Sequence, residues 1–140
     1  MGRIVVKAKI WNFGDELESL RGLKKPEEIV KIEVEGLIDT GATALVLPLL
    51  IVKKLRLLVD GREVEVTYAN GKRGKRKVAR GVAIEILGRE METFAVVENK
   101  EARVLIGQII LEGLDLYPNP KEGRLEPRPG HPDMPLIELY

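Results

Sequence analysis

The chain contains no cysteine. Disulfides, thiolate nucleophiles and thiolate metal ligands are therefore excluded. It has one histidine, His131, set in a proline-rich stretch. A lone histidine argues against a His-based triad and against a multi-His metal site; His131 reads as an exposed tail residue. Aromatic residues make up only 4% of the chain, leaving little to stack on bases, so nucleic-acid binding is weakly supported. No apolar run approaches about 18 residues, so no transmembrane helix is indicated. The formal net charge is +1, too small for a global field that would gather polyanions. No glycine-rich phosphate motif is present. The start, Met1 to Lys7, lacks the long apolar stretch of a signal peptide. Position 6 is Val6, so Met1-Gly2 does not read as a myristoylation signal. The default expectations are a cytoplasmic location, no cofactor and no metal.

What remains is a chain of 140 residues, enough for one domain with a real core. Valine and isoleucine are abundant, which favours strands around an aliphatic interior. Ile4 to Trp11 reads as a strand with Ile4, Val6, Ala8 and Ile10 on one face. Residues 12–28 form a polar connection with Gly14, Gly22 and Pro26, longer than a hairpin needs, and read as an insertion. Ile29 to Ile38 is a second strand. Leu45-Val46-Leu47 is a third, after which Pro48 opens a helix running to about Leu55. Asp60-Gly61 and Asn70-Gly71 are turn signals on either side of a strand at Glu63 to Tyr68. Lys75 to Leu87 is extended, Gly88-Arg89 turns, and Glu92 to Val97 returns. Asp115 to Tyr117 pairs with Arg124 to Glu126. Closely spaced strands with such turns predict an all-β barrel or sandwich. One domain is expected over 1–126. A Pro-rich tail follows over 127–140, ending in the alternating Leu136 to Tyr140, which reads either as an added strand between subunits or as a frayed end.

The stretch carrying the most chemistry is Leu37-Ile38-Asp39-Thr40-Gly41-Ala42-Thr43. It places a carboxylate where a strand ends and the chain turns through small residues that let a ligand backbone approach. An Asp-Thr-Gly triplet also occurs in ordinary turns. A second motif accompanies it: Val104-Leu105-Ile106-Gly107, then a short helix with apolar residues at 110, 111 and 114. Together, in this order and at this spacing, the two motifs resemble the retropepsin-like family of aspartic proteases. The resemblance covers roughly Ile29 to Leu125.

The resemblance implies a closed β-barrel with one or two short helices, one lobe per chain. It also implies a peptide or protein substrate and a water nucleophile. Such hydrolysis uses two carboxylates holding one proton between them. One takes a proton from water while the other, protonated, polarises the carbonyl. The motif occurs once, and Asp15, Asp60, Asp115 and Asp133 lie in turn or loop contexts without it. The second carboxylate is then Asp39 of another subunit, in a homodimer. By the same resemblance, Thr40 would hydrogen-bond across the dimer axis. Gly41 would offer its carbonyl to substrate, Ala42 would line the cleft, and Leu105, Ile106 and Gly107 would sit behind the turn. Retroviral members carry an Asp at the position of Thr43 and a pairing Arg at the position of Gln108. Both are absent here together, which leaves no unpaired buried charge.

Tyr68, Ala69, Asn70, Gly71 and Gly74 fall where the family has its flap, a hairpin that closes over substrate, and the two glycines suit a moving lid. The basic run over 72–80 reads either as a solvated edge or as a surface for an acidic partner. That leaves two functional readings. The first is a homodimeric endopeptidase. The second is a non-catalytic or regulatory peptide- or protein-binding module on the same fold, holding a peptide in its cleft or an acidic partner on the basic 72–80 hairpin.

Overall fold

The computed structural model describes residues 3–99 and 101–139. Strand β1 (Val5–Asn12) alternates as its sequence requires, burying Ala8 and Ile10 and exposing Lys7 and Lys9. It pairs antiparallel with β2 (Lys31–Ile38), with Ala8 opposite Val34 and Ile10 opposite Ile32. Strand β3 (Leu45–Pro48) follows the Asp39 turn, and β4 (Glu63–Thr67) leads into the long β5 (Arg73–Ile86). Strand β6 (Arg89–Glu98) returns along β5, and β7 (Val104–Ile106) is a short central strand. β2 runs parallel to β7, β7 antiparallel to β3, β3 parallel to β6, and β6 antiparallel to β5. Ile10 of β1 also pairs with Ile84 of β5. That last pairing closes the circuit β1-β2-β7-β3-β6-β5 into a six-stranded barrel.

The interior is aliphatic throughout. Leu45, Leu47, Ile84, Ile86, Ile106, Ile110 and Leu114 are fully buried, each worth about 1.5–3 kcal/mol relative to exposure. β5 is irregular between Ala79 and Val82, where Gly81 has φ +65°. An extra residue at that point bends a strand. The upper half of β5 stays in the barrel, while its first residues pair with β4 alone, as a hairpin outside the closed circuit.

Among the described residues three short α-helices decorate the barrel, α1 (Phe13–Leu20), α2 (Leu49–Lys54) and α3 (Gln108–Leu114), with a single 3-10 turn at Pro26–Glu28. The first lies in the segment read from sequence as a polar connection, and so raises the helix count above the one or two expected. Its signals were present. Asn12 caps it by accepting from the N–H groups of Gly14 and Asp15, and Asp15 and Glu16 complement its N-terminus. Gly14 in the first turn masked them. The helix covers Trp11, whose indole N–H donates to Glu16 while Lys31 lies 4.2 Å over its ring. Pro48 ends β3 and caps α2 from outside, one position earlier than predicted. The turn near 88 is Leu87-Gly88, both at positive φ, and Arg89 already belongs to β6.

After α3, β8 (Leu116–Asn119) and β9 (Arg124–Pro127) form a separate two-stranded sheet. The tail beyond it forms no strand over 128–139, and Tyr140, which completed the alternating segment, lies outside the described residues, as do Met1, Gly2 and Lys100. The tail is nonetheless anchored. Asp115, buried, caps α3 in the left-handed region at φ +56°, a conformation that aspartate tolerates. Its Oδ2 accepts from the Leu136 N–H at 3.0 Å and lies 2.6 Å from His131 Nδ1. The buried Arg89 guanidinium donates to the carbonyls of Leu114, Asp115 and His131. It thereby satisfies carbonyls that the end of α3 leaves without helical partners. His131 is thus a docked residue rather than an exposed one, and Asp115, in a turn as expected, is a buried anchor. A cleft of about 460 Å³ beside them is lined by Glu112, Asp115, Arg128, His131, Leu136 and Glu138, none of which belongs to the Asp39 turn.

The anchor makes a prediction for acid. The Leu136 N–H, followed by His131 and Arg128, holds the Asp115 carboxyl below its ordinary 3.8 against the opposing effect of burial. A carboxyl lowered by folding contributes stability above its unfolded value and loses it as pH falls through the folded value. The tail should therefore loosen below pH 3.8. Hydrogen exchange at the Leu136 amide between about pH 5 and pH 2 tests this. Asp115→Ala, which removes the acceptor, should leave the Leu136 amide without that protection at every pH, once the pH-dependent intrinsic rate is divided out.

Candidate active site

The turn at Asp39 is built by two crossing connections. Ile38 donates its N–H to the Ile4 carbonyl at 2.9 Å, and Asp39 donates its own to Ile106 at 3.0 Å. The backbone of Asp39 is thus still tied to β7 as its side chain leaves the sheet. Ala42 N–H then returns to the Asp39 carbonyl at 3.1 Å, and Gly41 N–H donates to Asp39 Oδ1 at 3.0 Å. The second bond is the local side-chain turn that aspartate favours. It fixes one carboxylate oxygen and leaves the other uncommitted. Asp39 is half-buried; Thr40 and Gly41 are exposed. The Thr40 hydroxyl has no intrachain hydrogen bond among the described residues.

The second connection is Gly107 and the start of α3. Gln108 N–H donates to the Ala42 carbonyl and Ile109 N–H to the Thr43 carbonyl, each at 2.9 Å. The first amides of a helix have no partner within it; here the Asp39 turn supplies their acceptors. Gly107 lies under the crossing. A Cβ there would stand 2.5 Å from the Ala44 carbonyl oxygen and 2.6 Å from that of Ala42. Its φ is −95°, which any residue adopts, so the requirement is for space alone. Leu105 pairs with Leu37 on one side and Val46 on the other, and Ile106 is fully buried beneath the turn. The two motifs predicted to lie together therefore do so, joined by hydrogen bonds. Thr43 and Gln108 are both exposed, so the missing acid–base pair leaves no buried charge.

The hairpin residues are placed in a different setting. Tyr68 N–H donates to the Lys72 carbonyl and Gly71 N–H to that of Tyr68, making a tight tip in which Gly71 has φ +82°. Below it, Lys75 faces Glu65 and Lys77 faces Glu63 across the strands. Arg80 pairs with Asp60 at 3.0 Å. Of the basic run, Arg76 and Arg80 are thus ion-paired, whereas Lys75 and Lys77 only stand opposite acids in the register, and Lys72 and Arg73 lie at the tip. No hydrogen bond joins this tip to the Asp39 turn among the described residues. One residue here escaped the sequence reading. Glu98, at the end of β6, accepts from Tyr68 Oη at 2.6 Å and from Arg76 Nε at 2.7 Å. Burial pushes its carboxyl up, but those two donors outweigh burial and hold it below the ordinary value. The same bond raises the Tyr68 hydroxyl. An acid ending a strand thirty residues away gives no local signal for such a contact. Among the described residues no group of three acidic or histidine side chains could hold a metal ion.

The family model of the gag-polyprotein putative aspartyl proteases matches residues 28–113, well over half of the chain. The chain belongs to that family. The matched region begins just before β2 and ends within α3, so it contains the Asp39 turn, the hairpin and Gly107. It leaves outside it β1, α1 and the anchored tail. The all-β barrel is the fold expected of this family. A search of curated proteins finds no matching relative.

Proposed function

We propose that this gag-type family member is a homodimeric aspartic endopeptidase. The observation that carries the reading is the Asp39 turn itself: a half-buried carboxylate with one oxygen fixed by Gly41, on a loop clamped to α3. Such rigidity is what a positioned acid–base group needs. One such aspartate per chain supports a site shared across a two-fold axis, where each subunit supplies one Asp39. Two carboxylates brought together there hold a single proton. The ionised one removes a proton from water as the water oxygen bonds to the peptide carbonyl carbon. The protonated one gives its proton to the carbonyl oxygen. Breakdown of this tetrahedral species passes a proton to the departing nitrogen as the C–N bond breaks. The exposed Thr40 would bridge to its counterpart in the partner, and Ala42 and the hairpin would line the groove. In the alternative, the same fold binds a peptide or an acidic partner without cleaving it; Arg76 and Arg80 of the basic hairpin are already paired with Glu98 and Asp60, while Lys72, Arg73, Lys75 and Lys77 have no ion pair among the described residues.

The test is peptide-library cleavage across a dilution series, with light scattering on the same samples. Specific activity should fall as the dimer dissociates. At fixed concentration it should rise and fall with pH, with its maximum on the acidic side of neutrality. A fully active monomer would exclude the shared site. The exposed Leu136, Ile137 and Leu139 offer apolar surface to the partner. A chain ending at Glu126 should accordingly dimerise more weakly.

A further inference from the structure

Val78 and Ala79 of β5 still pair with β6, but residues 73–77 pair only with β4, so backbone pairing holds this outer hairpin only to itself. What ties its outer part to the barrel is a cluster of three side chains. Glu98 ends β6, whose strand is locked between β3 and β5. Its two carboxylate oxygens are used separately, one by Tyr68 at the hairpin tip and one by Arg76 on the returning strand. The Arg76 guanidinium also lies 5.5 Å over the Tyr68 ring, and its Nη1 donates to the Lys75 carbonyl at 2.8 Å. Gly74 lies beside this stack. A Cβ there would come within 3.3 Å of Arg76 Nη1 and 3.8 Å of the Tyr68 ring. The Glu98 side chain is 18% exposed, so the pair is partly shielded from water, and a charge-assisted contact there is worth more than one on an open surface.

We propose that Glu98 is a positioning residue that holds the hairpin tip in one pose against the barrel through Tyr68 and Arg76. The proposal rests on the endopeptidase reading, in which this hairpin is the lid over substrate. The grip has two arms on opposite strands of the hairpin. It therefore restrains twist as well as lift, which a single ion pair would not. Opening the lid requires both arms to part, and closing it restores one defined geometry for the residues at 69–72. Glu98 does not touch substrate in this scheme; it sets where the tip lies.

The test uses the full chain with Glu98→Gln, which keeps the shape and removes the charge, and Tyr68→Phe, which removes one arm and leaves the ring. Hydrogen exchange and tryptic nicking at Lys72 and Arg73 should each rise roughly tenfold in Glu98→Gln and less in Tyr68→Phe. Exchange in β1 and β2 should be unchanged. With a cleavable peptide, KM should rise several-fold and kcat change little. Unchanged hairpin exchange, or an equal rise throughout the barrel, would overturn the proposal. So would a loosened hairpin with KM unaltered. Should the native protein cleave nothing, the endopeptidase reading fails, and the exchange data still decide whether Glu98 holds the hairpin.

Discussion

Asp39→Asn should fold and assemble like the native chain and lose peptide cleavage by at least about 10³-fold. The asymmetry comes from the two carboxylate oxygens. Oδ1 accepts the Gly41 N–H at 3.0 Å, and an asparagine carbonyl oxygen can take over that bond without moving the turn. The rest of the turn is held by backbone groups, through Ala42, Gln108 and Ile109. Structure should therefore survive, as judged by circular dichroism and light scattering. What asparagine cannot do is take up or release a proton as a carboxylate does. Two asparagines facing each other across the axis would hold no shared proton. Native-like cleavage by this variant would mean that another group activates the water.

The second large effect concerns Gly107. Gly107→Ala should lower stability by about 3 kcal/mol and abolish activity with it. The added methyl would meet two backbone carbonyls, those of Ala44 and Ala42, at distances no real Cβ adopts. Neither oxygen can move without breaking the bonds that Gln108 and Ile109 make to this segment. Gly113→Ala is the matched control. Its methyl would also arrive too close, at 2.6 Å, but to the sulfur of Met91, the far end of a flexible and partly exposed side chain. Alanine there also favours helix α3 by about 1 kcal/mol. Urea denaturation should place Gly113→Ala near the native protein and Gly107→Ala far below it. Equal effects at the two positions would remove the steric account of the crossing.

The elements legible in the sequence were those whose causes are local. Alternation fixed the inward face of β1, glycine turns marked the hairpins at 71 and 88 and the turn into β4 at 61, and Ile110, Leu111 and Leu114 announced the buried face of α3. The Asp39 and Gly107 motifs could be placed together because each carries its own small-residue signature. The contacts that were not legible join positions far apart in the chain. Glu98 reaches Tyr68 and Arg76, and Arg89 reaches His131. Nothing about a glutamate at a strand end names the tyrosine it will accept from. His131 read as exposed because its neighbours are prolines and glycine, whereas its position is set by Asp115, whose burial depends on the end of α3. Helix α1 was missed for a different reason: its capping signals were present and were outweighed by Gly14.

The closed circuit also governs when the site can come into being. Asp39 is made some seventy residues before the segment that completes its turn, Ile106, Gln108 and Ile109, and the barrel closes only when β1 finds β5. These pairings span most of the chain, the kind of topology that folds in milliseconds to seconds rather than microseconds. A ribosome must therefore release residues well past 109 before the acid has a rigid seat. Until then a nascent chain carries the aspartate in an unformed loop.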